Sequence, residues 1–168
     1  MTSHFFPLKT QFLQTKRLTL RPTEPEDAIA FHQLLTSDRD VAGKTGTWPI
    51  GCSQEWVKRR LQRYASPRAR QRPRPFTITY QGEIIGGVDA VAKSDAEFML
   101  GYWIGRPYWR KGFATEAARA ALQFAFTELA AEKIIACAAF DNRGSNGVLR
   151  KLGFEETYRT PVWTPGRG

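Results

Sequence analysis

Two cations, a glycine and small residues stand in succession at residues 108–117, YWRKGFATEA, directly before a stretch rich in alanine. That order suits the binding of an anion. A helix start leaves its first backbone N–H groups without intrahelical partners, and the macrodipole places about half a positive charge there. Gly112 lets a ligand approach those amides closely, Ala114 keeps the surface small, and Arg110 and Lys111 add charge. The stretch EFMLGYWI (97–104) reads as a strand feeding this loop. Strand, glycine loop and helix start together make a candidate phosphate cradle. An ordinary strand-to-helix turn has the same composition, so the segment alone leaves both readings open.

Other chemistry is mostly excluded. GKTG (43–46) looks like the end of a phosphate-binding P-loop, but the glycine required five residues earlier is Asp38, and the segment follows a helix rather than a strand. Two cysteines (Cys52 and Cys137) and two histidines (His4 and His32) show no metal-ligand spacing, so no structural metal is expected. Cys137 lies in the apolar run KIIACAAF, where a buried free thiol is expected, which fits a reducing cytoplasm. No apolar run approaches the roughly 20 residues that span a bilayer, and the start lacks a secretory cleavage signal. The net charge of +9 favours acidic partners. Much of the excess sits in SPRARQRPRP (66–75), which reads as a solvated connecting loop, with binding of RNA or an acidic substrate as the second reading.

The elements that must position the candidate cradle follow from hydrophobic period. At 168 residues and 42% hydrophobic, residues 1–168 suit a single domain with a sizeable core. RLTLRP (17–22) alternates as a strand, and 24–37 places Ala28, Phe31, Leu34 and Leu35 on one helical face. Ser53 caps a second helix carrying Trp56, Val57, Leu61 and Tyr64. Three strands (FTITY, EIIGGVDAVA and AEFMLGYWI) precede a helix over 113–132. KIIACAAF (133–140) is apolar throughout, as a central strand covered on both faces would be. A short helix near 143–152 and a strand from Phe154 complete the order β-α-α-β-β-β-α-β-α-β.

This order, with YWRKGFATEA in its middle, resembles the GNAT superfamily of acetyl-CoA-dependent N-acetyltransferases. More narrowly it resembles the RimJ/RimL-like branch that acetylates ribosomal-protein N-termini. TKRLTLRP (15–22), TGTWPIGCSQEWVKRRL (45–61), GYWIGRPYWRKGFATEA (101–117) and FDNRGSNGVLRKLGF (140–154) carry the match. The resemblance implies an α+β, GNAT-like, mixed but mostly antiparallel twisted sheet of about six strands flanked by four helices. The sequence departs from the pattern at Trp109, where the broad superfamily prefers Gln or Arg, and at Arg110, where the branch usually has Gly. Little sequence follows YRTPVW to build the family's final strand.

The resemblance also assigns roles. Acetyl-CoA is the expected co-substrate, held by Trp103, Ile104, Trp109, Arg110, Lys111, Gly112, Phe113, Ala114, Thr115 and Asn142. A backbone N–H near Ile104 polarises the thioester. Ser145 is the expected proton donor to the leaving thiolate; as N-cap material, Asn142 and Ser145 also have an ordinary structural reading. Where the branch tends to carry a glutamate this chain has Met99, so Glu97, on the same strand face, is the candidate base, with Asp89 the weaker choice. The implied acceptor is a primary amine, either a protein N-terminus or a small amine or amino acid. An α-amine with pKa near 8 is about a tenth neutral at pH 7 and needs only a weak base. A homodimer is compatible with this reading, a membrane partner is not expected, and nucleic acid is disfavoured. The alternative is an inactive GNAT-like module that binds RNA or a protein through its arginines.

Overall fold

The computed structural model describes residues 12–65, 75–159 and 161. Most of the basic segment 66–75 lies outside the described residues, as does His4. Six strands form one sheet in sequential order: β1 (Leu13–Gln14), β2 (Leu18–Pro22), β3 (Phe76–Tyr80), β4 (Glu83–Ala92), β5 (Glu97–Ile104) and β6 (Lys133–Ala136). All neighbours pair antiparallel except β5 and β6, which are parallel. Helices α1 (Ala28–Thr36), α2 (Arg39–Gly43) and α3 (Gln54–Ala65) separate β2 from β3. Helix α4 (Phe113–Glu128) crosses from β5 to β6, and α5 (Arg143–Lys151) follows. The mixed, mostly antiparallel α+β architecture is as expected.

Each face of the sheet carries its own core. On one, α4 presents Phe113, Ala117, Ala118, Ala121, Phe124 and Ala125 to Leu18, Leu20, Ile78, Val88, Phe98 and Leu100. The alanines let the helix axis approach the sheet closely while burying apolar surface, worth about 25 cal/mol per Å². On the other face, α1 and α3 contribute Phe31, Leu35, Val57 and Leu61 around Trp48 and Trp103. The entry to α1 is locked by buried Asp27, whose carboxylate accepts from Arg21 at 2.5 and 2.9 Å and from Thr77 Oγ1 at 2.7 Å. Burial alone would raise its pKa; the bonds from Arg21, Thr77 and the Glu24 amide hold it below the ordinary value.

Five expectations need correction. The stretch 39–43 is a short helix, capped by Asp38 accepting from the Asp40 amide at 2.8 Å, so there are five α-helices among the described residues. Helix α4 stops at Glu128 because Ala130 takes a left-handed φ of 53°, a stop without the usual glycine signal. β6 is four residues long and forms an edge among the described residues, and Cys137 just after it is exposed rather than buried. Apolar composition alone could not reveal that only the first half of the run pairs. Residues 154–159 form no strand. No helix of the described residues is long and apolar enough to cross a membrane.

Candidate active site

β5 and β6 pair only over Glu97–Leu100 and Lys133–Ala136. Beyond that point β5 stays on β4 as far as Ile104, while the chain after Ala136 leaves the sheet. A wedge therefore opens between them. Along an antiparallel ladder the amides point alternately to either side. The Gly105 N–H donates to the Ile85 carbonyl at 2.8 Å, so the alternation turns the Tyr102 and Ile104 amides toward the wedge. The Ile104 carbonyl there accepts from Trp109 Nε1 at 2.6 Å.

From the end of β5 the chain passes through a 3-10 turn (Arg106–Tyr108) into α4. Arg110 and Gly112 both take left-handed backbone, φ 62° and 81°. For Gly112 this conformation is free of Cβ strain; for Arg110 it costs about 1–2 kcal/mol. The first intrahelical bond runs from the Glu116 amide to the Gly112 carbonyl at 3.1 Å. The amides of Phe113, Ala114 and Thr115 stand ahead of it, without intrahelical acceptors. A Cβ on Gly112 would meet only Arg17 Nη2, at 3.4 Å. The cradle is thus open in front and flanked by a cation from the far end of the chain.

Arg17 lies over the Phe113 ring at 4.5 Å and pairs with Glu116 at 2.7 Å. Glu116 also accepts from Thr15 Oγ1 at 2.7 Å and from the Arg17 amide at 2.8 Å. Partial burial would raise its pKa, but these donors hold it below the ordinary value. Nothing in TKRL signals this contact, because its partner lies about a hundred residues on.

Opposite the cradle, Asn142 caps α5, its Oδ1 accepting from the Ser145 amide at 3.1 Å. The Ser145 and Tyr102 hydroxyls lie 2.8 Å apart. Tyr102 belongs to β5 and Ser145 to α5, so this pair bridges the wedge. Burial pushes the Tyr102 hydroxyl pKa up, with the Ser145 bond as a smaller opposing effect. The segment after α2 spans both sides: the Lys44 carbonyl accepts from Asn142 Nδ2 at 3.3 Å, and its ammonium lies 5.0 Å from the Trp109 ring.

The two acid candidates part company here. Glu97 pairs with Lys133 at 2.7 Å at the closed end of the β5–β6 ladder, away from the wedge. Asp89 sits opposite Gly101, where the wedge opens. Its carboxylate fills the space a side chain at 101 would need: a Cβ there would lie 2.4 Å from Asp89 Oδ1. Enclosure by protein lifts the Asp89 pKa to about 6, only partly offset by the charge of Arg60 and the Gly101 amide. Of the expected cofactor contacts, Ile104, Trp109, Arg110, Lys111, Gly112, Ala114, Thr115 and Asn142 gather around the wedge and cradle. Phe113 turns its ring into the core, leaving its amide at the cradle. The Trp103 side chain is likewise buried, packed on Phe31 and Trp48 at 4.9 and 6.0 Å. Tyr102, Lys44 and Arg17 were not singled out by sequence.

This arrangement has relatives. A family described as an acetyltransferase (GNAT) domain matches residues 17–155. The chain is 30% identical over 148 residues to p20 of Bacillus licheniformis, an uncharacterized N-acetyltransferase, spanning 86% of this chain and 82% of that one. A solved GNAT-family acetyltransferase from Bacillus anthracis is 26% identical with a TM-score of 0.72, covering 84% and 82% of the two chains. RimL, a ribosomal L7/L12 alpha-N-protein acetyltransferase solved with coenzyme A, shares the fold at a TM-score of 0.78 and 19% identity, covering 92% and 91%.

Proposed function

We propose, from the premise that this chain belongs to the acetyltransferase (GNAT) domain family, that it is an N-acetyltransferase whose acceptor is the α-amine of a peptide or protein N-terminus. Acetyl-CoA supplies the acetyl group as a thioester. The observation that carries the reading is the wedge itself: it opens with the Ile104 amide on one wall and leads to the amides of 113–115, which lack intrahelical acceptors. Those amides, with Arg110, Lys111 and Arg17 around them, suit a pyrophosphate. The left-handed Gly112 keeps the space before them free of a side chain. RimL, with the same fold, is named for acetylating a protein α-amine.

Each residue's part follows from its place. The Ile104 N–H donates to the thioester oxygen as charge develops there. Asp89 takes the proton that the amine loses on attack. A base with pKa about 6 is ionised at neutral pH yet still basic enough to accept. Ser145, held by Tyr102, gives a proton to the departing sulfur. Holding amine and thioester in line contributes most, about 7–11 kcal/mol of barrier. The test is thiol release from acetyl-CoA with free and N-terminally blocked peptides. Free N-termini should be acetylated; turnover only of lysine side chains in blocked peptides would overturn the acceptor assignment.

A further inference from the structure

Arg60 of α3 differs from several neighbouring arginines in what holds it. Arg17, Arg21, Arg59 and Arg106 each lie within ion-pair distance of an acid. Arg60 is half-buried, and among the described residues no carboxylate pairs with it. Neutral acceptors hold it instead: Nε donates to Tyr64 Oη at 2.8 Å and Nη1 to the Thr47 carbonyl at 2.9 Å. Three rings surround the guanidinium, Trp48 at 4.5 Å, Trp56 at 5.5 Å and Tyr64 at 5.9 Å. The side chain is therefore fixed in direction while its charge stays uncompensated by a bonded acid.

The rings beside Arg60 belong to the buried cluster that backs β5. Trp48 contacts Trp103 of β5, two residues from Gly101, and Gly101 makes room for the Asp89 carboxylate. A fixed cation and a carboxylate thus stand on the face of the sheet covered by α1 and α3, near enough for the charge of Arg60 to act on Asp89. An acceptor with an amine alone satisfies the carboxylate and is repelled by the cation. An acceptor with a carboxylate a few atoms from its amine matches both, and a guanidinium fork suits a carboxylate in shape as well as charge.

We infer that Arg60 selects the acceptor: it binds a carboxylate carried close to the reacting amine, while the amine meets Asp89. This rests on the acetyltransferase reading above. The carboxylate can come from an acidic second residue of a peptide or from the α-carboxylate of a free amino acid. The experiment measures kcat/KM for N-terminal serine peptides with Glu, Gln or Lys in second place, and for free serine beside serinamide. Wild-type protein, Arg60→Gln and Arg60→Lys are compared, with a thermal melt of each. The expected result is at least a tenfold preference for the carboxylate-bearing member of a pair, collapsing in Arg60→Gln and only partly kept in Arg60→Lys. Preference in the peptide pair alone names an acidic N-terminus as the source; preference in the serine pair alone names a free amino acid. Equal kcat/KM within both wild-type pairs overturns the inference and leaves the acetyltransferase reading standing, as does a preference that survives intact in Arg60→Gln. Absence of thiol release with every free amine overturns both.

Discussion

Replacing Asp89 by asparagine should make the protein more stable at neutral pH while removing most of its turnover. Enclosure lifts this carboxyl from an ordinary 3.8 to about 6. Between those values the folded protein holds a proton that the unfolded chain has released. The stability gained from the neutral carboxyl is thus full below the unfolded value and is lost as pH rises through about 6. At about 1.36 kcal/mol for each tenfold in the proton equilibrium, the ionised form costs the fold roughly 3 kcal/mol at pH 7. Asparagine removes that cost but leaves its amide hydrogens needing acceptors, which takes back about 1–2 kcal/mol. A net gain of about 1–2 kcal/mol remains, a rise in Tm of roughly 3–6 °C for a chain of this size. Loss of a general base lowers kcat/KM by about 10²–10⁴. Urea unfolding of both proteins across about pH 4–7.5 checks the argument, beside thiol release and calorimetric titration with acetyl-CoA. The stability difference should grow with pH and level off above about 6.5, with cofactor affinity unchanged. A difference independent of pH would refute the reasoning, because the cost would then not be that of a buried charge.

Gly101→Ala should fold yet push the Asp89 carboxylate aside, since its Cβ would fall 2.4 Å from Oδ1; acceptor kcat/KM should fall tenfold or more with acetyl-CoA affinity kept, and full activity would remove Asp89 from the reaction. Ser145→Ala keeps the α5 cap, which uses the backbone amide, so thermal stability should hold while kcat drops about 10²-fold; an unchanged kcat would point to solvent as the donor. Gly112→Asp should abolish acetyl-CoA binding in calorimetry, while strain at φ 81° costs about 1–2 kcal/mol of stability, eased by Arg17 alongside. Wild-type affinity in that variant would sink the cradle.

What could be read from the sequence was local. The candidate cradle needs a strand, a glycine and a helix start in succession; EFMLGYWI followed by YWRKGFATEA supplies them, and each of these elements lies where the sequence places it. The α5 cap was equally legible, because Asn142 and Ser145 lie three residues apart. The position of Glu97 was not legible: strand-face parity puts it on the same side as Gly101, but parity carries no distance, and pairing with Lys133 holds Glu97 at the closed end. Asp89 became the better candidate only through register, which sets it opposite Gly101. β6 was overread because an apolar composition does not distinguish a paired run from one whose second half leaves the sheet. Arg17 and Arg60 were out of reach, since their roles depend on contacts with Glu116 and with the rings of Trp48, Trp56 and Tyr64.

The clasp on Glu116 has a consequence for the order in which the molecule assembles. Thr15 and Arg17 reach the start of α4 across about a hundred residues of chain. During synthesis at about 5–20 residues per second, the N-terminal segment therefore waits roughly 5–20 s before its partner exists. β1 and β2 form a local pair without it, but the Arg17 amide, bonded to Glu116 Oε1 at 2.8 Å, has no such early partner. Its hydrogen exchange should remain fast in nascent chains ending before α4 and slow once that helix docks. One amide thereby reports on the moment the cradle closes, and fast exchange in the complete folded protein would mean that the clasp does not hold in solution.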